Sequence, residues 1–193
     1  AMGSEWTQCA NIVCSGPYTA PYRRFTSDRY IRRGDPVIID IGACFNGYWG
    51  DFTRTVICGD IRPTDEQIEW HMKSYNAVWG ACAAARPGNT TLDVYQAAEP
   101  YVLNSLGHGS GTNPWGGSPP YFSRTAYDAP KPLEVGMIFN LEPYAGKKGV
   151  GGFRLENNLV VTEEGPDVYT PYPYDARLVT DIHPMDTSTG RMG

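Results

Sequence analysis

The feature that most constrains this chain is the β-rich run PVIIDIGACFNGYWGDFTRTVICG, residues 36–59, split in its middle by Asn46-Gly47. Asn-Gly between two such runs is a strong hairpin signal, because both central turn positions need positive φ. With those two residues as the turn, Asp51 lies opposite Gly42 and Asp40 opposite Thr53. Side chains alternate along a strand, so Asp40 and Asp51 share one face as diagonal cross-strand neighbours. Ile39, Ile41 and Phe52 then point the other way, into a core. A bulge at Trp49-Gly50 would alter that pairing.

A second β pair repeats the arrangement. MIFNLEPY (137–144) and GFRLENNLVVTE (152–163) read as strands. An antiparallel connection centred on Gly149 places Glu142 directly opposite Glu156, with Phe139, Leu141 and Leu155 on the other face. A carboxylate inside an apolar strand is costly unless it is paired or bound to a cation. Between the two pairs, residues 64–86 read as a helix with Thr64 as N-cap, Gln67 at the capping-box position, and Asp65 and Glu66 against the positive end of the dipole. Thr90 opens a second helix through about Ser105, bent or divided at Pro100. Residues 107–120, GHGSGTNPWGGSPP, are too rich in Gly and Pro for an element interior and read as a shaped loop. The glycines beside His108 let its backbone approach a site. Residues 8–15 form a short strand, and the Pro/Tyr-rich tail from Gly165 either covers the body or trails from it. This order predicts one α+β domain over residues 1–193, with helices covering one face of a curved, mainly antiparallel sheet.

Four carboxylates and one neutral imidazole are a natural ligand set for two divalent ions bridged by a carboxylate, and manganese, iron, cobalt and zinc all suit such donors. Taken singly, each residue has a plainer explanation: Asp serves turns, Glu142 an edge charge, His108 a local hydrogen bond. Two same-face acid pairs and a Gly-flanked histidine converge on a metal site. Other classes are excluded by composition. Sixteen basic against 21 acidic side chains give a formal charge of -5, which disfavours a nucleic-acid binder. No apolar run approaches the roughly 20 residues of a membrane-spanning helix. Five cysteines at irregular spacing fit a reducing, cytoplasmic setting better than a disulfide framework.

Together these elements resemble the catalytic domain of the pita-bread metallopeptidases, the family of methionine aminopeptidase, aminopeptidase P, prolidase and creatinase. The D-x-G…G-Y-x-x-D-x-T-R-T signature appears as Asp40, Gly42, Gly47, Tyr48, Asp51, Thr53, Arg54 and Thr55. G-H-G-x-G runs from Gly107 to Gly111, G-M-x-x-x-x-E-P holds Glu142 and Pro143, and R-x-E-(D/N) is Arg154, Glu156 and Asn157. The resemblance runs from about Asn11 to Pro173. It implies the pita-bread fold, with one metal on Asp40 and Asp51, Asp51 bridging, the other on His108 and Glu142, and Glu156 bridging both. Family domains begin with about two helices before the first strand. The resemblance therefore implies a core over residues 8–173 truncated at its N-terminus, a preceding segment or partner chain over the exposed sheet, and a homodimer.

Two positions depart from the pattern. Hydrolytic members carry a histidine shortly after the metal histidine and another in a P-H pair ahead of the first aspartate; those places hold Trp115 and Tyr22. Aromatics there keep the metals and remove two proton-transfer groups. The expected activity is dinuclear hydrolysis of a C–N bond in a small substrate or an Xaa-Pro-type peptide, with Glu142 moving the proton and Trp115 walling the pocket. The alternative is a metal-dependent lyase, similar to those that cleave dimethylsulfoniopropionate. In it Trp115, Tyr48, Tyr22 and Tyr121 would cage a sulfonium or betaine-like cation, and Tyr48 or Tyr121 would act as base. A catalytically degenerate paralogue is the third reading.

Overall fold

In the computed structural model, which describes residues 3–7, 12–22, 24–102, 105–112 and 117–189, the two halves of the long β run pair as read. Strands β1 (Ile12–Ser15), β2 (Pro36–Phe45) and β3 (Tyr48–Ile57) form an antiparallel sheet in that order. Asn46 and Gly47 take φ of 51° and 78°, the positive pair that a two-residue hairpin turn requires. The β2–β3 ladder is continuous through Trp49-Gly50, with Asp40 opposite Thr53 and Gly42 opposite Asp51.

Helix α1 (Asp65–Ala84) begins at the expected capping box: Gln67 N donates to Thr64 Oγ1 and Thr64 N donates to Gln67 Oε1. Helix α2 (Thr91–Ala98), capped by Thr90 and Asp93, is shorter than expected. It passes into a 3-10 turn at Glu99–Tyr101, because Pro100 has no N–H with which to continue the α-helical ladder.

Past the helices come β4 (Ser105–Gly109), β5 (Ser118–Ser123), β6 (Ile138–Leu141), β7 (Tyr144–Lys147), β8 (Gly151–Arg154), β9 (Asn157–Thr162) and β10 (Gly165–Val168). The order β10-β9-β6-β4-β5 makes a five-stranded antiparallel sheet, and β7-β8 a two-stranded one. Residues 107–109 and 118–120 of the expected loop are thus strand, and Ser105 opens β4 where the second helix was expected to end. The glycines beside His108 serve close packing: a Cβ on Gly107 would lie 1.9 Å from Asn140 O, and one on Gly109 2.4 Å from Pro119 O. Pro119 and Pro120 are tolerated because β5 is an edge strand.

The pairs Leu141–Asn157 and Tyr144–Arg154 lie in one continuous register. β6 and β7 are therefore one strand with an interruption, as are β8 and β9. The interruption falls at Glu142-Pro143 and at Leu155-Glu156, where Pro143 cannot donate to a ladder. The two amides bond elsewhere than to each other's strand. Glu142 N donates to Leu106 O in β4 at 2.7 Å, and Glu156 N donates to Thr53 O in β3 at 3.1 Å. The interruption is where the three sheets are tied together.

Helices α1 and α2 pack on the five-stranded sheet through Val78, Cys82, Val94, Leu106, Phe139 and Leu159. The tail covers the body: Tyr174 and Leu178 are buried, and Tyr75 on α1 donates its hydroxyl to Asp186 Oδ2 at 2.7 Å. The architecture is α+β, with antiparallel sheets covered by helices. One expectation fails on the outer face of the three-stranded sheet. Ile39, Ile41 and Phe52 do not enter a core there; among the described residues no helix lies over them, and they line a surface cavity of about 250 Å³ with Val56 and Tyr172. No helix among the described residues is long and apolar enough to cross a membrane.

Candidate metal centre

Five side chains meet where the sheets are tied. Asp40 and Asp51 come from the hairpin, His108 from β4, and Glu142 and Glu156 from the two interruptions. Asp51 belongs to two trios whose candidate ligand atoms lie within 4.8 Å of one another: Asp51 with His108 and Glu142, and Asp51 with Asp40 and Glu156. Two clusters with one carboxylate in common are what a dinuclear divalent centre needs. Glu156, which the resemblance expects to bridge, falls only in the trio with Asp40.

Glu156 is fully buried. Its Oε2 accepts from Thr53 Oγ1 at 2.9 Å, whereas Oε1 has no hydrogen-bond partner among the described residues, and neither has Asp51 Oδ1. Burial, then repulsion from Asp51, holds the Glu156 carboxyl well above the usual carboxylate range. Asp51 moves the other way. Burial opposes its charge, but the approach of His108 and the field of Arg154 outweigh that and lower its pKa. His108 Nδ1 meets Gly109 O at 3.1 Å, which leaves Nε2 facing Asp51 Oδ2 at 3.7 Å. An engaged outer nitrogen is how metal-binding imidazoles are oriented. Arg154 reaches in between, pairing with Asp40 through Nη1 and with Glu142 through Nη2. Four carboxylates and one guanidinium leave three negative charges. That excess, the unpartnered buried oxygens and the oriented imidazole together fit two divalent cations.

Arg154 and Thr53 had no assigned role in the sequence reading, yet both touch the site. The signal was present: Arg154 lies two residues before Glu156, and Thr53 two after Asp51, so period-two alternation puts each on its ligand's face. Tyr22, standing where a histidine was expected, also reaches the site. Its hydroxyl approaches Asp40 Oδ2 to 3.5 Å, the Arg154 guanidinium lies 4.9 Å from its ring centroid, and its ring lies 5.2 Å from that of Tyr144. Tyr121 pairs with His108 across β4 and β5 and shares its side. It is half exposed, and its hydroxyl donates to Gly117 O at 2.7 Å. Tyr48 does not belong to the site. The alternation that turns Asp51 inward puts Tyr48 on the outer face, 67% exposed, so it is neither a base nor part of a cage. Trp115 lies outside the described residues.

Residues 2–163 match the model of metallopeptidase family M24. The chain belongs to this family. Among M24 relatives, the Xaa-Pro dipeptidase of Pyrococcus furiosus is 34% identical over 174 residues, which cover 84% of this chain and 47% of the relative. The Xaa-Pro dipeptidase from Bacillus anthracis superposes with a TM-score of 0.80 at 28% identity, over 90% of this chain and 49% of that one. The prolidase from Pyrococcus furiosus superposes with a TM-score of 0.77 at 30% identity, over 93% and 52%. The fold is the pita-bread fold of M24 peptidases related to prolidase and aminopeptidase P. The chain spans about half the length of the curated M24 relatives it matches.

Proposed function

We propose that the chain is a dinuclear metal-dependent hydrolase that cleaves the C–N bond of an Xaa-Pro-type peptide or a similarly small substrate. The observation that carries this reading is the pair of ligand trios sharing Asp51, with buried, unpartnered oxygens on Asp51 and Glu156. The relatives named prolidase and Xaa-Pro dipeptidase support the same bond. Asp40, Asp51, His108, Glu142 and Glu156 would hold two ions drawn from manganese, iron, cobalt or zinc. When bound, such ions supply Lewis-acid activation of water and of a carbonyl oxygen at neutral pH.

The chain's own residues do the rest. Arg154 anchors one oxygen of Asp40 and one of Glu142, which fixes both carboxylates against rotation. Glu142, partly open to solvent, takes the proton of the attacking water and returns it to the departing nitrogen. Tyr22 brings a phenol where hydrolytic members have a histidine, so proton transfer rests on Glu142. Tyr121 lines the His108 side. A homodimer in the cytoplasm completes the proposal, and the free Cys14, Cys44, Cys58 and Cys82 suit that compartment; light scattering checks the dimer.

The test pairs elemental analysis with activity. Protein incubated with manganese is expected to carry two ions and to hydrolyse Xaa-Pro dipeptides. Glu156→Ala should lose at least one ion and lower kcat/KM by more than the roughly 100-fold reached by changes to mere partners of ligands. Unchanged metal content in Glu156→Ala sinks the ligand assignment. Turnover of sulfonium or betaine compounds with none of dipeptides replaces the hydrolase with the lyase.

A further inference from the structure

Against the backbone of Glu156 lies a second buried cluster, which belongs partly to the tail. Arg54 is 3% exposed, yet the acceptors it reaches are neutral oxygens: Glu156 O through Nη1, Thr53 O through Nη1 at 3.1 Å, Tyr172 O through Nε and Nη2 at 3.2 and 2.9 Å, and Asn157 Oδ1 through Nη2 at 3.3 Å. Aromatic rings flank its guanidinium, Phe52 at 4.3 Å and Tyr174 at 4.1 Å from the ring centroids. Tyr174 also donates its hydroxyl to Asn157 Oδ1 at 2.7 Å. Tyr172 and Tyr174 lie past residue 163, where the family match ends. A guanidinium is buried only when its donors are satisfied, and here the tail supplies one carbonyl, one ring and a second donor to Asn157.

We infer that tail residues 172–174 form a clamp that positions Glu156, with Arg54 and Tyr174 as positioning residues for the metal centre. Glu156 sits at the strand interruption, between the ladder that ends at Arg154 and the one that resumes at Asn157. Its carbonyl is held by Arg54, its amide by Thr53, and the next residue, Asn157, by Tyr174. Loosening that grip lets Glu156 Oε1 wander from the position it must share with Asp40 and Asp51. This inference rests on the dinuclear reading above.

The experiment is manganese titration of the full chain by isothermal calorimetry, beside thermal melts in EDTA. Tyr174→Phe removes one hydroxyl at the clamp. Tyr75→Phe removes another buried hydroxyl, one on α1 that bonds the same tail at Asp186 and makes no hydrogen bond to Arg54 or Asn157. Both should lower the metal-free melting temperature. Only Tyr174→Phe should weaken the looser manganese site, by about tenfold, the low end for partners of ligating groups. Asn157→Asp, which keeps an acceptor for Arg54 and Tyr174, should hold manganese affinity near that of the unmodified chain. Unchanged affinity in Tyr174→Phe, equal weakening in Tyr75→Phe, or a loss in Asn157→Asp as large as in Tyr174→Phe each overturns the clamp. If the unmodified chain takes up no manganese, the dinuclear reading falls, and the clamp with it.

Discussion

Asp40 and Asp51 reach the metal centre from an unbroken ladder, whereas Glu142 and Glu156 reach it from a ladder that stops at them. In the hairpin, one turn and strict alternation place both carboxylates, and the residues that do so lie within the hairpin itself. In the other half, Pro143 interrupts the pairing: the Glu142 amide bonds to Leu106 in β4 of the five-stranded sheet, and the Glu156 amide crosses to Thr53 in the three-stranded sheet. The first arrangement is specified locally and needs little support. The second is specified by packing, so it should be the more sensitive to changes that never touch a ligand.

The sharpest way to break this contrast is at Arg154, which joins the two halves by pairing with Asp40 on one side and Glu142 on the other. Arg154→Met leaves two carboxylates buried without their cation, and removing one partner of a buried pair costs about 3–5 kcal/mol. Urea denaturation in EDTA should show that loss, and saturating manganese should recover much of it, because divalent ions replace the missing charge. A loss that manganese leaves untouched would mean that Arg154 matters for packing alone.

A smaller effect separates the halves by pH. His71, on α1 behind the second half, is fully buried among Tyr75, Phe153 and Tyr174. Burial lowers its pKa from 6.5 to about 4. Above pH 6.5 neither the folded nor the unfolded chain protonates it. Between 6.5 and 4 the unfolded chain takes up a proton that the folded chain refuses, so stability falls as pH falls, by about 3 kcal/mol in all. Denaturation midpoints at pH 7 and pH 4.5 should therefore diverge more for the unmodified chain than for His71→Leu. Parallel pH dependence in the two proteins would place the acid sensitivity elsewhere.

The smallest effect lies at the hairpin tip. Gly47→Ala puts a Cβ on a residue at φ 78° and should cost about 1 kcal/mol, with manganese affinity unchanged, since the ten pairs of β2 and β3 still hold the register. A marked loss of metal affinity in that variant would show that the hairpin half also depends on more than its own ladder.

How far the site was legible follows the same division. Asp40, Asp51, Glu142 and Glu156 were legible because alternation reports a face, and the register through Gly149 continues across the interruption even though the ladder does not. Tyr48 was misread by the same standard. It is three residues from Asp51, an odd separation, so alternation already placed it outside. The glycines beside His108 predict a loop where β4 stands, because glycines that let a strand lie tightly between its neighbours look the same in sequence as glycines that let a chain turn.

By itself the amino-acid sequence determined the hairpin turn at Asn46-Gly47, the inward face of β2 and β3, the start of α1 at the Thr64 and Gln67 box, and the loss of a ladder donor at Pro143. Each of these depends on groups a few residues apart, where backbone geometry and alternation leave little choice. Only the tertiary structure decided where the amides freed around Pro143 would go, that Arg154 would sit between Asp40 and Glu142, and that the tail would close behind Glu156 through Tyr172 and Tyr174. Those contacts join groups as much as 118 positions apart, as between Arg54 and Tyr172. Many partners along the chain could satisfy such a donor or charge equally well, and packing of the sheets against α1 and the tail selects among them.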